Sequence, residues 1–274
     1  MSIKTLTKQK LPVLGTNGYP LQDAAVYGPI PSRRYGYSLG INPLPVTYKF
    51  CDFDCVYCQY GWTPRTGNGV KKTNEKLKSL AELVSEIETS FQRTKADETP
   101  VHVITIAGNG EPTLYPDFFE FVTALLKLRD HYYPKVPVGI LSDSSQCHRP
   151  EIKKALQMLD ERCMKLDGGD PKTIGQINKP AGGFHLERTI DGLSRLGDIT
   201  IQSLFVWGSL DNTQPEQIEH WAKAIRRIKP KAVQVYTIDR PTADSGIKAV
   251  PMSRLSDIAA FCQRESGILT EVFD

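Results

Sequence analysis

The residues best suited to chemistry are three cysteines within an eight-residue stretch, Cys51, Cys55 and Cys58. Their thiolates are soft ligands that suit iron–sulfur clusters, zinc and copper(I). A structural zinc site needs a fourth protein ligand at short spacing, and ferredoxins supply four thiolates to each cluster. The next cysteine and histidine along the chain, Cys147 and His102, are far away. The spacing therefore favours a cluster that is held by three thiolates and leaves one iron open to another ligand.

A second motif follows the β-branched run at 101–107, which has the composition of a buried strand. It consists of Gly108, Asn109, Gly110 and Glu111. Glycines after a strand often form a simple turn. In parallel α/β folds, however, ligands bind at the carboxyl ends of the strands. The motif lies at the end of a strand, one helix after the cysteine loop. This position favours a binding site over a simple turn.

The elements that must position these motifs alternate along the chain. Apolar residues spaced by three and four predict helices at 77–91, 118–128, 150–159, 172–177, 185–196, 215–228 and 253–265. Short apolar runs predict strands at 37–41, 101–107, 136–141, 162–166, 199–206, 232–238 and 268–273. This alternation implies right-handed βαβ units and a parallel sheet. Periodicity alone leaves open whether the sheet is a doubly wound layer or a partial or full barrel.

Composition narrows the class of protein. The 274 residues are 40% hydrophobic and 24% charged, as in ordinary globular chains, and the net charge of +3 gives no strong field for nucleic acid or membranes. The sequence has no apolar stretch of the ~20 residues that span a bilayer, and no secretory signal. We therefore expect a cytoplasmic protein, with an N-terminal extension at 1–26 and a core domain at 27–274. In that reducing compartment, six unevenly spaced cysteines indicate metal or redox chemistry.

The Cys-x3-Cys-x2-Cys spacing, with Tyr57 before the last cysteine, resembles the signature of radical S-adenosylmethionine (radical SAM) enzymes. In that family the open iron chelates S-adenosylmethionine, and the reduced cluster cleaves it to a 5′-deoxyadenosyl radical that abstracts hydrogen from the substrate. The resemblance implies a 4Fe–4S cluster on Cys51, Cys55 and Cys58, with S-adenosylmethionine as the second cofactor. It also implies an α/β fold, the partial (β/α)6-type barrel with parallel strands, and an electron donor such as flavodoxin or ferredoxin.

The same resemblance implies a set of cofactor-binding residues. Tyr57 would pack by the adenine, although simple loop packing is the alternative. Gly108, Asn109, Gly110 and Glu111 are similar to the Gly-Gly-Glu element of the family, which lines the site for the methionyl ammonium. Glycine permits close backbone approach, and a carboxylate with carbonyls can receive an ammonium group.

Polar residues end the next two predicted strands. Ser142, Lys165 and Asp167 lie where the family commonly contacts the ribose and the carboxylate of the cofactor, although polar strand ends are common in any sheet. The remaining cysteines have no second-cluster spacing; they are Cys147, Cys163 and Cys262.

Further segments resemble a compact branch related to the radical enzyme that makes the wyosine base of tRNA. They are 27–34, 38–42, 108–113, 165–167 and 177–180. That enzyme has a second cluster on cysteines upstream of its main motif, and its eukaryotic form adds a flavodoxin-like domain. No cysteine precedes Cys51 here, and no such domain is found, so we expect a different, unassigned radical reaction. Arg33 and Arg34 could bind a phosphate or carboxylate, or pair with surface acids.

Three functions are compatible with these features. The first is a radical enzyme that acts on a tRNA nucleoside or a small metabolite. The second is an activating enzyme that places a glycyl radical on a partner protein. The third is a non-catalytic metal or iron–sulfur binding module in an RNA-processing assembly, which would explain basic pairs such as Arg226-Arg227.

Overall fold

The computed structural model of this chain describes residues 12–32, 36–66, 69–70 and 76–273. The strands are β1 (Val26–Ser32), β2 (Gly36–Ile41), β3 (Arg65–Thr66), β4 (Gly69–Val70), β5 (Val103–Ile106), β6 (Val138–Ser142), β7 (Glu161–Lys165), β8 (Thr200–Leu204), β9 (Val206–Gly208), β10 (Ala232–Tyr236), β11 (Ile247–Ala249) and β12 (Thr270–Val272). The helices are α1 (Leu80–Ala96), α2 (Phe118–Tyr132), α3 (Pro150–Gln157), α4 (Pro171–Ile177), α5 (Leu186–Ser194), α6 (Pro215–Ile228) and α7 (Met252–Ser266).

Eight of the strands form one sheet in the order β1-β2-β5-β6-β7-β8-β10-β12. Strand β1 is antiparallel to β2, and every other neighbouring pair is parallel. Each new parallel strand joins the same growing edge, so the order never reverses as it does in a doubly wound sheet. Six strand–helix units, from β2 to α7, precede the last strand β12. The partial (β/α)6-type barrel predicted from the sequence is therefore confirmed.

The two faces of the sheet differ in chemistry because successive strand residues point to opposite sides. The face under the helices is apolar and includes the fully buried Leu39, Ile104 and Ile140. The opposite, inner face carries polar side chains on β8 and β10. Gln202 and Gln234 are paired there across β8 and β10, and the Gln202 amide donates to Gln234 Oε1 at 2.9 Å. The inner face can therefore offer hydrogen bonds to a polar molecule.

The helices begin where the sequence supplies a start signal. Ser79 and Glu82 form a capping box at α1, in which each side chain bonds the backbone N–H of the other residue. Helices α3, α4 and α6 begin with Pro150, Pro171 and Pro215 at their first positions, where a missing N–H has little cost. None of the helices within the described ranges has the length and apolar character to cross a membrane.

The elements differ from the sequence prediction at several places: α2 extends to Tyr132, and the short strands β3, β4 and β11 were not predicted. Three further differences have a clear physical reason. Helix α1 begins at Leu80 rather than 77, because Ser79 caps it. The strand predicted at 199–206 is interrupted at Phe205, which separates β8 from β9. Strand β1 was not predicted, because its Pro29 and Pro31 are residues that sheets accept mainly at an edge, which is where β1 lies.

Some sequence predictions concern residues outside the described ranges. Residues 1–11 of the predicted extension are among them, and so are Arg33 and Arg34. The division into an extension at 1–26 and a core domain at 27–274 stays a prediction. Within the described part of the extension, Leu21 and Ala25 are buried.

A short parallel bridge ties the cysteine loop to the end of β5. It joins Phe50 to Gly110. The Phe50 N–H donates to the Asn109 carbonyl at 2.7 Å, and the Glu111 N–H donates to the Phe50 carbonyl at 3.1 Å. Gly110 has a φ of 144°, and a Cβ at this position would collide with the Phe50 carbonyl oxygen. Only glycine allows the loop to approach the strand end so closely.

We predict that Gly110→Ala lowers the free energy of unfolding by about 1–3 kcal/mol, because the new Cβ strains the backbone and separates the cysteine loop from β5. Denaturant unfolding followed by circular dichroism measures the change. Gly175→Ala is the matched control, since Gly175 lies in α4 with no heavy atom within 4 Å of an added Cβ. Equal stability of Gly110→Ala and Gly175→Ala would contradict the argument.

Candidate active site

The three cysteines lie on the loop that follows β2. Cys51 and Cys55 are buried, and Cys58 is half-buried. The Phe53 N–H points at Cys51 Sγ at 3.4 Å, and Asn178 Nδ2 donates to Cys55 Sγ at 3.3 Å. Such donors stabilise thiolates, which are the form that binds metal.

A buried lysine, Lys49, lies among these thiols. Its Nζ donates to the Gly61 carbonyl at 3.0 Å and is 3.6 Å from Asp54 Oδ1. Burial alone would lower the pKa of Lys49, but the charges of Cys58, Cys51, Cys55 and Asp54 raise it above its ordinary value. The ammonium group therefore provides a counter-charge for the trio of thiolates.

Carboxyl groups flank the thiols on the other side. Asp143 Oδ2 is 3.6 Å from Cys51 Sγ, and ligand atoms of Cys51, Asp52 and Asp143 all lie within 4.8 Å of one another. Burial and then the charges of Asp52 and Glu111 raise the pKa of Asp143 well above its usual range. Burial also raises the pKa of Glu111. This concentration of carboxyl groups makes the position suitable for a cation, either a metal or an ammonium group.

The predicted Glu111 and Ser142 are brought together by neighbouring strand ends. Ser142 Oγ donates to Glu111 Oε1 at 2.9 Å, and the Asp143 N–H donates to Oε2 at 2.6 Å. The Thr113 N–H adds a third donor at 3.0 Å. Glu111 is therefore held in one orientation beside Asp143.

The other residues of the glycine motif, Gly108 and Asn109, hold the motif in place through close contacts with neighbouring segments. Asn109 Nδ2 donates to the carbonyls of Gln22 and Pro45 at 2.8 and 2.9 Å, and its Oδ1 accepts from the Gln22 N–H at 2.8 Å. The Asn109 side chain therefore links the motif to the segment before β1 and to the loop after β2. A Cβ on Gly108 would collide with the Asn42 side chain.

Asp167 organises the second half of the site. Its Oδ1 accepts from the Leu204 N–H at 2.8 Å, and its Oδ2 accepts from Asn178 Nδ2 at 2.7 Å and from the Tyr57 hydroxyl. Lys165 Nζ is 3.4 Å from Asp167 Oδ1 and 4.7 Å from the centroid of the Tyr57 ring. The predicted Tyr57, Lys165 and Asp167 thus form one contact network.

Lys165 remains positively charged in this network. Burial opposes its charge, but Asp167 and Tyr236 raise the pKa of Lys165 above its ordinary value. Its Nζ also donates to the Tyr236 hydroxyl at 2.8 Å. Burial, followed by the charge of Asp167, raises the pKa of Tyr57, so its hydroxyl stays protonated.

The two halves meet at the cysteine loop. The half with Glu111 and Ser142 approaches Cys51 through Asp143, and the half with Tyr57, Lys165 and Asp167 approaches Cys55 through Asn178. One depression is lined from both halves, by Asp143, Lys165, Asp167 and Asn178. The structure therefore brings the residues that were predicted separately to one rim of the sheet.

The main residue that the sequence did not reveal is Lys49, because its contacts with Asp54 and Gly61 follow no recognisable spacing. The sequence indicates Asn178 only as a member of the segment 177–180, which resembles the wyosine-related branch. The structure gives Asn178 contacts with Cys55, Tyr57 and Asp167. Its buried Oδ1 has no hydrogen-bond partner among the described residues, so it can accept a bond from a bound molecule.

The spread of the three sulfur atoms bears on the kind of metal group they fit. Among the described residues, the trio of ligand atoms that lie within 4.8 Å of one another is that of Cys51, Asp52 and Asp143, not that of the three cysteines. A single zinc ion binds sulfur at ~2.3 Å and would draw its ligands closer together than this. The donor set therefore fits a polynuclear cluster better than a single ion.

Comparisons with known proteins agree with this geometry. Residues 46–228 match the family model of the radical SAM superfamily. The UPF0026 protein MJ1312 of Methanocaldococcus jannaschii is 30% identical over 240 residues, which are 85% of this chain and 70% of that protein. A Brachyspira hyodysenteriae protein named GTPase Obg is 28% identical over 257 residues, but these represent 92% of this chain and only 35% of that protein.

Two solved structures share the fold. A radical SAM methyltransferase from Sphaerobacter thermophilus superposes with a TM-score of 0.61 at 12% identity, covering 86% of this chain and 65% of that one. A structure of TYW1 with a lysine-pyruvate adduct bound gives a TM-score of 0.57 at 12% identity, covering 84% of this chain and 74% of that one. At these identities the likeness concerns the fold alone.

The family match covers more than half of the chain and includes the three cysteines, the glycine motif and Asp167. It confirms the resemblance found in the sequence, together with the cofactors that the resemblance implied. The chain belongs to the radical SAM superfamily, whose members are enzymes that bind a 4Fe–4S cluster and S-adenosylmethionine.

Proposed function

We propose that Cys51, Cys55 and Cys58 hold the 4Fe–4S cluster and that the chain catalyses a radical reaction. When bound, the cluster supplies one electron that breaks a C–S bond of S-adenosylmethionine, giving a 5′-deoxyadenosyl radical that takes hydrogen from the substrate. The single observation that carries the proposal is the arrangement of three buried or half-buried thiols around the Lys49 ammonium.

The residues around the thiols control charge and water at the cluster site. Lys49 offsets the negative charge of the thiolates, and Asn178 donates to Cys55 Sγ. Phe53 and Phe184 pack edge to face with ring centroids 5.2 Å apart, close to Cys51 and Cys55. These rings exclude water, which strengthens each electrostatic contact inside the site.

We assign the binding of S-adenosylmethionine to the two halves of the site. Glu111, oriented by Ser142 and the Asp143 N–H, would receive the ammonium group of the cofactor. Gly108 and Gly110 leave room for the backbone approach, and Asn109 fixes the motif through its bonds to neighbouring carbonyls.

On the other side of the site, Tyr57, Lys165 and Asp167 would contact the adenosine part of the cofactor. Asn178 Oδ1 is the buried acceptor that faces no protein donor among the described residues. A ribose hydroxyl can satisfy such an acceptor. The Lys165 ammonium, held by Asp167 and Tyr236, provides a fixed positive charge at the same position.

The substrate would occupy the inner face of the sheet, beside the row formed by Gln202 and Gln234. Their side chains bond each other at 2.9 Å, and neither side chain has a buried, unbonded polar atom. This row suits a polar substrate, such as a tRNA nucleoside or a small metabolite. The proposed setting is cytoplasmic, with flavodoxin or ferredoxin as the electron donor.

Anaerobically reconstituted protein, given dithionite and S-adenosylmethionine, should release 5′-deoxyadenosine. Cys51→Ala, Cys55→Ala and Cys58→Ala should each lose the iron of the cluster and reduce this release to the background rate, because a thiolate ligand is missing. Iron and sulfide analysis, together with chromatography of the deoxyadenosine product, provides both measurements.

Cys262→Ala is the matched control for the cysteine variants. Cys262 is buried in α7, where its Sγ contacts Ser266 Oγ at 3.8 Å, so this variant should keep its iron and its deoxyadenosine release. Colourless protein that contains zinc instead of iron and sulfide would refute the proposal and support a non-catalytic metal-binding module.

Glu111→Gln should weaken the binding of S-adenosylmethionine about tenfold to a hundredfold, since a hydrogen bond to a charged group contributes about 1.5–3 kcal/mol. Equilibrium dialysis with labelled cofactor, under anaerobic conditions, measures the affinity of the cluster-loaded protein. Glu161→Gln is the control, because Glu161 pairs with Lys231 at 2.8 Å away from the site. The assignment is wrong if both variants bind the cofactor as tightly as the unaltered protein.

A further inference from the structure

A groove opens in the helix layer between α3 and α5, outside the site described above. Its cavity volume is about 600 Å³. Lys153 contributes from α3, Arg188 from α5 and Arg195 from the end of α5, while Cys147 and His148 line it from the loop after β6. The groove therefore has basic side chains on both walls, one from α3 and two from α5 and its end.

The three long cations of this groove are unpaired. Lys153, Arg188 and Arg195 form no ion pair with any residue in the described part of the chain. The acidic residue of the groove, Asp191, pairs with Arg227 at 3.0 Å, and Arg227 also pairs with Glu187 at 2.7 Å. Burial, followed by the charge of Arg188, lowers the pKa of His148, in agreement with a positive potential here.

Three cations without an ion-pair partner among the described residues therefore lie around one groove. Several other arginines have carboxylate partners, such as Arg129 with Asp160 at 2.9 Å and Arg149 with Glu151 at 2.5 Å. Unpaired basic side chains on both walls of one groove attract an acidic surface. The fold therefore gives these three basic side chains no carboxylate partner among the described residues.

The floor of the groove lies next to the proposed cluster site. Cys147 is buried, and its N–H bonds the Ser144 carbonyl at 3.3 Å in the turn that begins with Asp143. The charges of Asp143 and Glu111 act on Cys147, which burial and these charges bring to a pKa of about 12. Asp143 in turn is 3.6 Å from Cys51 Sγ. Cys147, which lines the groove, thus lies four residues along this turn from Asp143, whose carboxyl group contacts Cys51.

We propose that this groove is the docking surface of the electron donor, an acidic protein with a one-electron redox centre of low potential. The inference rests on the proposed function, because only a cluster at Cys51 gives the electron a destination. The donor loses one electron and the cluster site gains one, with no bond made or broken. The cations Lys153, Arg188 and Arg195 orient the acidic face of the donor over Cys147.

The position of the groove favours a protein donor over RNA. The groove opens on the helix side of the sheet, between α3 and α5, and Cys147 lines it at the turn that begins with Asp143. The substrate space lies on the opposite, inner face beside Gln202 and Gln234. An RNA held in the groove would not present a nucleoside to that inner face, whereas a donor needs only proximity to the cluster.

Charge reversal of the groove tests the proposal. In the variant Lys153→Glu with Arg188→Glu and Arg195→Glu, the rate constant for reduction by a reduced bacterial flavodoxin should fall about tenfold or more, since electrostatic steering contributes factors of about 10–10³. Anaerobic stopped-flow absorbance of the cluster measures this rate constant. For the unaltered protein, the rate should also fall as the ionic strength rises. Deoxyadenosine release driven by excess dithionite should be unchanged.

A matched variant changes the total charge equally at another surface. It carries Lys76→Glu, Lys127→Glu and Lys135→Glu, at exposed positions beside or within α1 and α2. This variant should keep a rate of reduction by flavodoxin within about twofold of the unaltered protein, since charges beyond a Debye length of ~10 Å are screened. Iron content and thermal unfolding show that both variants are folded and loaded.

The outcomes separate the two proposals. If flavodoxin reduces the groove variant as fast as the unaltered protein, or if the control variant is slowed equally, the docking surface is refuted while the proposed function stands. A groove variant that loses affinity for bulk tRNA but keeps its reduction rate would assign the surface to RNA instead. If the unaltered protein releases no deoxyadenosine with dithionite although flavodoxin reduces its cluster, the proposed function alone fails.

Discussion

The electrostatic cost of burying charge at one rim of the sheet is the constraint on which the site depends. Lys49 is a buried cation and Lys165 a half-buried one, and Asp143, Glu111 and Asp167 are carboxyl groups in the same region. Each isolated charge would cost several kcal/mol to desolvate. The charges are tolerated because they lie beside one another and because backbone donors are directed at them.

The sheet topology supplies those donors. The Asp143 N–H reaches Glu111 from the end of β6, and the Leu204 N–H reaches Asp167 from the last residue of β8. Because the strand order never reverses, the carboxyl ends of successive strands meet at one rim rather than at two separate crevices. The fold thus converts residues that are distant in sequence into one hydrogen-bonded network around the cysteine loop.

The sequence predicted what depends on local pattern. Helix α6 begins and ends at the predicted residues because Pro215 and a continuous apolar stripe define it. The cysteine loop and the glycine motif were visible because their spacing is itself the signal. Strand β1 was missed, since Pro29 and Pro31 are compatible with a strand only at a sheet edge, and an edge is a property of the whole sheet.

Contacts between distant segments of the chain could not be predicted from local sequence pattern. The bonds from Asn109 to Gln22 and Pro45 join segments that are up to 87 residues apart. Asn178 reaches Cys55 over 123 residues. In both cases the polar side chain is ordinary in its own neighbourhood and becomes informative only when the fold brings its partner close. Ligands with a fixed spacing can therefore be recognised in a sequence, whereas the residues that position them cannot.

In these proposals the substrate and the electron donor bind on opposite sides of the sheet. A reactive radical requires a site from which water is excluded, and the proposed function places the substrate on the inner face, beside Gln202 and Gln234. An electron needs no open channel, only a partner held close to the cluster. The groove over Cys147 meets that need from the helix side without opening the inner face to solvent. The electron donor and the substrate would therefore use different surfaces of the protein.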